Sequence, residues 1–389
     1  MMKKLLLGLC LAGSSLLAQA TGLTITGRST DPTIKRIYLF SVADELNKRV
    51  ALLDSVDVTD GHFAYKNDSL YAQVLFLTAN WSKEATEVVK TGSFHFFNAG
   101  NNVATLAKDQ QGKLLVHLDD AQLDKQYQAF QAERYALANR HELDSLDALF
   151  LAARSKGDRA EMKRIRTISD PIYEAGASRV SQWQAQQLKD TRGTAFGAYL
   201  LYTYRLMYAQ LETEEAIQKV RALLDEYDDE AKQTAYYHLM HRKLAIMEKA
   251  VVGQVAPPIA GLDRKDKPLR LADFKGKYVL VDFWSSGCKW CRAETPHLKK
   301  TLNAFKNHNF TILGVSTDLR KADWTKAIEE DKANWDHLLL PRTTRDEILK
   351  AYSIVAIPEI LLVDPNGNII AKGLRGEAIY QAVKEALKQ

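Results

Sequence analysis

The sequence predicts a multidomain protein: an N-terminal all-β, sandwich-like domain, a central α-helical segment and a C-terminal α/β domain. Three observations carry that reading. Residues 21–119 hold short β-branched and aromatic runs closed off by turn signals. Residues 120–250 show apolar residues at helical spacing and contain one proline, Pro171. From residue 251 onward, strand-like and helix-like stretches alternate, which gives a sheet covered by helices on both faces. At 389 residues the chain is also too long for one ordinary domain.

Residues 1–20 read as a secretory leader. Lys3 and Lys4 form a basic start, Leu5 to Leu17 an apolar run too short to span a bilayer, and Ala18-Gln19-Ala20 a small-x-small cleavage site. The expected location is therefore the periplasm. Cys10 follows the bulky Leu9, which argues against lipid anchoring, and no later stretch is long enough for a membrane helix. The chain has 53 basic and 48 acidic residues, and losing Lys3 and Lys4 leaves 51 − 48, a net charge of +3. That is not the concentrated field of a nucleic-acid binder.

In residues 21–119 seven runs read as strands: Leu23 to Thr26, Ile34 to Val42, Val50 to Val58, Phe63 to Tyr65, Tyr71 to Thr78, Phe94 to Phe97 and Leu114 to Leu118. Asp31-Pro32, Asp60-Gly61, Ala99-Gly100-Asn101 and Gln111-Gly112 are the turns between them. His62, His95 and His117 are scattered, as expected of surface or strand-face residues. In residues 120–250, Leu123, Tyr127, Phe130, Leu143, Leu146 and Phe150 fall near helical spacing. They predict four or five amphipathic helices in an up-and-down array, punctuated at Gly157-Asp158, Pro171 and Gly193. The stripe of Tyr199, Tyr202, Leu206, Tyr204 and Tyr208 reads as helix–helix core before it reads as a peptide groove. The helices are also a candidate homodimer interface.

Val251 to Pro258 marks the entry to the last domain, residues 251–389. Its central stretch runs from Tyr278 to Pro296. Val279 to Trp284 is an apolar run long enough for a buried strand, Gly287 breaks it, and a helical pattern starts at Cys288. Cys288-Lys289-Trp290-Cys291 therefore sits at a helix N-terminus. Only a thiolate attacks a disulfide. A helix N-terminus favours an anion through its partial positive charge and its unpaired N–H groups. Cys288 gains most from that field and is the expected nucleophile, with Cys291 one turn on as the resolving thiol. Lys289 and Arg292 add cationic charge nearby. Without Cys10 these are the chain's only cysteines, and so close a pair closes almost no loop, so a redox-active disulfide is a better reading than a structural staple. Zinc normally wants a second pair of ligands at short spacing, and no second cysteine pair exists, so neither metal nor cofactor is expected.

The segment Phe283-Trp284, Cys288-Lys289-Trp290-Cys291, Arg292, Glu294, Pro296 resembles the active-site region of thioredoxin-fold proteins, and specifically of the TlpA-like (ResA-like) secreted thiol–disulfide oxidoreductases. The likeness covers about a third of the chain and departs from thioredoxin at Lys289-Trp290, where thioredoxins carry Gly-Pro. It implies a thioredoxin-like fold for residues 251–389. It implies that Pro358 is the family's cis-proline, with the Ile357 backbone free to pair with a substrate strand. Asp282 matches the buried aspartate that takes the proton from the resolving cysteine, and Glu294 the glutamate of the active-site helix. Trp284 and Trp290 flank the site and are the expected substrate-binding side chains; in the fold the first packs beside the disulfide and the second, exposed, is an apolar contact for substrate. The implied substrates are disulfide-containing proteins, with a dithiol electron donor. The N-terminal β-rich region, through Asp60-Gly61-His62-Phe63, resembles a domain often fused ahead of TlpA-like domains.

Two other functions compete. A peroxiredoxin-like peroxidase would want Pro-x-x-x-Thr-x-x-Cys, and the residues before Cys288 supply neither proline nor threonine. A binding protein would act through residues 21–250, with the last domain as an appendage.

Overall fold

The computed structural model describes residues 22–42, 50–79, 81, 92–119, 121–207, 209 and 211–388. The leader, Cys10 and Tyr208 lie outside these described residues. The described chain forms two compact units, the first made of the residues up to 196 with 228–235, the second of 197–227 and the residues from 236 onward.

The first unit begins with eight strands: β1 (Leu23–Ser29), β2 (Arg36–Val42), β3 (Val50–Asp57), β4 (His62–Asn67), β5 (Gln73–Thr78), β6 (Gly92–Phe97), β7 (Gly100–Lys108) and β8 (Leu114–Leu118). They form two four-stranded sheets, ordered β4-β1-β7-β8 and β3-β2-β5-β6. Leu23, Ile25, Leu106 and Leu114 of one sheet and Ile37, Leu39, Leu75 and Leu77 of the other share a single buried core. The alternation of Phe63 and Tyr65 inward with His62 and Ala64 outward shows how the period of two selects that core. Asp60 and Gly61 both take positive φ, the backbone of a type I′ hairpin turn, and Thr59 and His62 exchange hydrogen bonds across it.

Strand β7 is the one the sequence does not announce. It starts Gly100-Asn101-Asn102, residues that favour turns, yet it lies parallel to β1 in the middle of its sheet. Asn102 is buried there because its side chain accepts from the Asn98 amide and donates to the carbonyls of Thr24 and Asn98. Specific hydrogen bonds override a low strand propensity.

Three helices follow in this unit: α1 (Gln122–Leu137), α2 (Arg140–Ser155) and α3 (Arg159–Asp190). Asp158 caps α3 by accepting from the Glu161 amide. Pro171 does not break the chain here, contrary to expectation, and lies inside the 32-residue α3. A proline removes one rung of a helix ladder, and with at least about three turns on either side the helix continues through it. His95 is also not at the surface. It is buried, with Nδ1 2.9 Å from Asp124 Oδ2 of α1 and Nε2 3.1 Å from Ser93 Oγ, which ties edge strand β6 to the helix.

α4 (Ala195–Leu201) includes the division of the chain after residue 196 and continues as a π-helical stretch, Tyr202–Leu206. Tyr199, Tyr202 and Leu206 are buried, with Tyr199 edge-on to Tyr236, so this stripe is core. The second unit then has α5 (Glu214–Asp225) and, after the short α6 (Asp229–Lys232) of the first unit, α7 (Ala235–Met247). The hairpin β9 (Ala260–Leu262) and β10 (Pro268–Arg270) follows. Next come β11 (Tyr278–Trp284), α8 (Lys289–Ala304), β12 (Phe310–Ser316), α9 (Lys321–Glu330), β13 (Asp336–Leu339), α10 (Arg345–Ala351), β14 (Glu359–Val363), β15 (Ile369–Ala371) and α11 (Glu377–Ala386). The mixed sheet runs β10-β9-β13-β12-β11-β14-β15. β11 lies in its interior, parallel to β12 and antiparallel to β14. Leu280, Ile360 and Leu362 face α8 and α11, and Val281, Phe283 and Leu361 face a second core with Tyr352 and Ala250. Every residue of β11 after Tyr278 is buried, which is why it reads as a continuous apolar run.

Candidate redox site

Strand β11 ends at Trp284, and the chain turns through Ser285-Ser286-Gly287 into α8. Cys288 is the N-cap of that helix: its Sγ accepts from the Cys291 amide at 3.1 Å. Cys288 and Cys291 are joined in a disulfide. The two sulfurs are not equivalent. Cys288 is half-buried, while Cys291 is 3 % exposed and packs among Trp284, Trp324 and Ile328. Whatever approaches from solvent meets Cys288 first.

The Ile357–Pro358 bond is cis, and the Ile357 carbonyl lies 3.8 Å from Cys288 Sγ. Residues 69 positions apart therefore meet at the mouth of the site. Trp290, between the cysteines, is 75 % exposed. Trp284 packs beside the disulfide, as the resemblance implies, and its burial takes it away from the expected contact with substrate. It is 5 % exposed and forms the wall behind the disulfide. His337 lies behind that wall, its ring 5.7 Å from Trp284 and stacked on Trp335. Gly314 makes this fit, since a Cβ there would stand 2.2 Å from His337 Nδ1. Burial lowers the His337 pKa to about 4, so the ring is neutral.

Asp282 points from β11 into the apolar layer under α8. It is 4 % exposed and its Oδ1 has no hydrogen-bond partner. Burial raises its pKa to about 7, with Arg375 opposing and Glu294 adding to the rise. Glu294, in the second turn of α8, accepts from the Gly376 amide at 2.8 Å. The expected help from Arg292 is absent. Its guanidinium forks onto Asp331 at 2.7 and 2.9 Å and reaches Glu330 at 2.9 Å, so its charge is spent across the α8–α9 junction.

Two residues at this site were not singled out from sequence. Asp318, just beyond β12, accepts from the Ser286 amide at 2.9 Å, from Ser286 Oγ at 2.6 Å and from Ser316 Oγ at 2.8 Å. It clamps the loop that carries Cys288. Arg375, in the loop before α11, donates to the Pro358 carbonyl. An aspartate one strand away from the motif has no local signature, and only the parallel pairing of β11 and β12 brings it near.

Among the described residues no group of three or more His, Cys, Asp or Glu side chains is arranged to hold a metal, and no helix is long and apolar enough to cross a membrane.

Comparison with known proteins places this site in company. Residues 252–372 match the AhpC/TSA family model. The thiol-disulfide oxidoreductase ResA of Bacillus thuringiensis is 27 % identical over 151 residues, 36 % of this chain and 80 % of that one. The ResA of Bacillus subtilis is 26 % identical over 134 residues, 34 % and 73 % of the two chains. Among solved structures, the thioredoxin domain of a thiol-disulfide oxidoreductase from Bacteroides vulgatus is 55 % identical, covering 35 % of this chain and 98 % of its own, with a TM-score of 0.35. A thiol-disulfide oxidoreductase from Bacteroides fragilis is 30 % identical, covering 34 % and 98 %, with a TM-score of 0.32.

Proposed function

We propose, for a chain that belongs through its C-terminal domain to the thioredoxin-like AhpC/TSA family and is homologous there to the ResA thiol–disulfide oxidoreductases, that it is a periplasmic reductant of protein disulfides. The observation that carries this reading is the unequal exposure of the two sulfurs at a helix N-terminus.

In the reduced protein the Cys288 thiolate attacks one sulfur of a substrate disulfide. The substrate S–S bond breaks, a Cys288–substrate disulfide forms, and the other substrate sulfur leaves as a thiolate. Asp282, whose pKa burial raises to about 7, takes the proton of the Cys291 thiol. The Cys291 thiolate then attacks Cys288 Sγ, releasing the second substrate thiolate. The Cys288–Cys291 disulfide described above is the product, and an external dithiol returns it to the reduced state. The Trp290 indole offers an apolar contact to an extended chain, and the free Ile357 backbone offers it a place to pair. Glu294 holds the Gly376 loop against α8.

The test is direct. Cys288→Ser should abolish reduction of insulin disulfides, and Cys291→Ser should accumulate mixed disulfides with substrate. Full activity in Cys288→Ser would overturn the reading. Titration against glutathione should give a potential below the glutathione poise of about −220 to −260 mV.

A further inference from the structure

We propose that Arg375 is a positioning residue of the redox site, one that fastens the Pro358 carbonyl, next along the chain from the Ile357 carbonyl that lies by Cys288, and supplies positive charge to the buried carboxylate beneath. This rests on the reading of Cys288 and Cys291 as the redox pair, but half of its test does not.

Arg375 lies between β15 and α11. Its position is fixed from both sides: the Leu374 amide donates to the Ile360 carbonyl of β14, and the Gly376 amide donates to Glu294 of α8. Gly376 takes a φ of +54°, a conformation suited to glycine. From this anchored loop the guanidinium reaches over the start of β14. Nη2 donates to the Pro358 carbonyl and lies 3.9 Å from Glu359 Oε2, and Nη1 donates to the Leu374 carbonyl at 2.7 Å.

The groups around it explain why a cation belongs there. Asp282 pairs with Ile360 and Phe283 with Glu359 across β11 and β14. The two acids therefore point to opposite faces of the sheet. Both are buried, and Asp282 Oδ1 and Glu359 Oε2 lack hydrogen-bond partners. A buried carboxylate without a cation is expensive. The charge of Arg375 in the loop lowers the Asp282 pKa against the rise from burial, and that of Glu294 on α8 adds to the rise. Glu359 faces Lys372 and Arg375, with Glu212 as a further acid. Lys372 gives its hydrogen bonds to the carbonyls of Ala250 and Tyr352. Arg375 is the cation common to both acids, and it also holds the backbone against which substrate is laid. Its five-donor fork can do both, which a lysine ammonium cannot.

The experiment follows the Asp282 side-chain carboxyl by ¹³C NMR in the oxidised full-length protein, which needs no turnover. In Arg375→Met the Asp282 midpoint should rise by about one pH unit. In Arg375→Lys, which keeps the charge, it should stay within about 0.3 unit of wild type. In reduced protein both variants should raise KM for insulin about fivefold, because neither can grip the Pro358 carbonyl. An unmoved Asp282 midpoint in Arg375→Met overturns the electrostatic half, and an unmoved KM in both variants overturns the positioning half. If Arg375→Met does not fold, Arg375→Gln is titrated in its place with the same expectation. Failure of the redox reading would show separately, as insulin reduction unaffected by Cys288→Ser.

Discussion

Asp318 receives the Ser286 hydroxyl at 2.6 Å and the Ser286 amide at 2.9 Å, across 32 residues of sequence. One carboxylate thus holds the last turn before the nucleophile. Asp318→Ala removes three acceptor contacts, including one from Ser316. The expected loss is about 2 kcal/mol of stability in urea denaturation, on the scale of hydrogen bonds to a charged group. Insulin reduction should fall about tenfold, since a loosened loop misplaces Cys288. Unchanged turnover would show that the loop holds its shape without the clamp.

The raised pKa of Asp282 has two measurable consequences. The native state holds its proton up to about pH 7, whereas the unfolded chain releases it near 3.8. Between those values the unfolded state binds fewer protons, so this group's contribution to stability falls as pH rises, and it levels off above 7. Asp282→Asn should therefore be more stable than wild type at pH 8, by a few kcal/mol, with the difference vanishing toward pH 4. Thermal melts at the two pH values check it.

Turnover should respond the other way. Resolution needs ionised Asp282, so the wild-type rate should climb through pH 7. Asp282→Asn should be about a hundredfold slower at that step and lack the climb. Stopped-flow release of substrate from the mixed disulfide is the measurement.

Trp290 is 75 % exposed, so Trp290→Ala should leave the melting temperature unchanged. KM for a protein substrate should rise about fivefold, about 1 kcal/mol of lost aromatic contact. Reduction of a small disulfide should not change. Equal losses on both substrates would refute a role in gripping polypeptide.

In the first unit, Asp124 accepts from the Phe96 amide at 2.9 Å and pairs with His95 at 2.9 Å, both buried. Asp124→Ala strands the histidine and the amide, and should cost about 3 kcal/mol in denaturant unfolding. A neutral outcome would mean that water replaces the carboxylate.

Local signals in the sequence succeeded where the structure is local. The Asp60-Gly61 turn and the helix opening at Cys288 are each decided by residues within a few positions. The failures have a common cause. Strand β7 begins with turn-formers and owes its place to Asn102 bonding Thr24, 78 residues away. Arg292 looked like a free cation near the thiols until Asp331 and Glu330 came into reach. Asp318 and Arg375 enter the site only because β12 and the β15–α11 loop are brought beside β11 and β14. Composition and period carry no information about such pairings.

The buried Lys372 ammonium bears on how the gene should be cut for expression. One of its two acceptors is the carbonyl of Ala250, immediately ahead of the expected start of the last domain at 251. The amide of Val252 is likewise received by the Glu212 carbonyl. A fragment begun at 251 would leave a dry cation with half its ligands, and would strip a donor of its mate. A clone that starts upstream of Glu212 keeps both, and should yield the more robust piece.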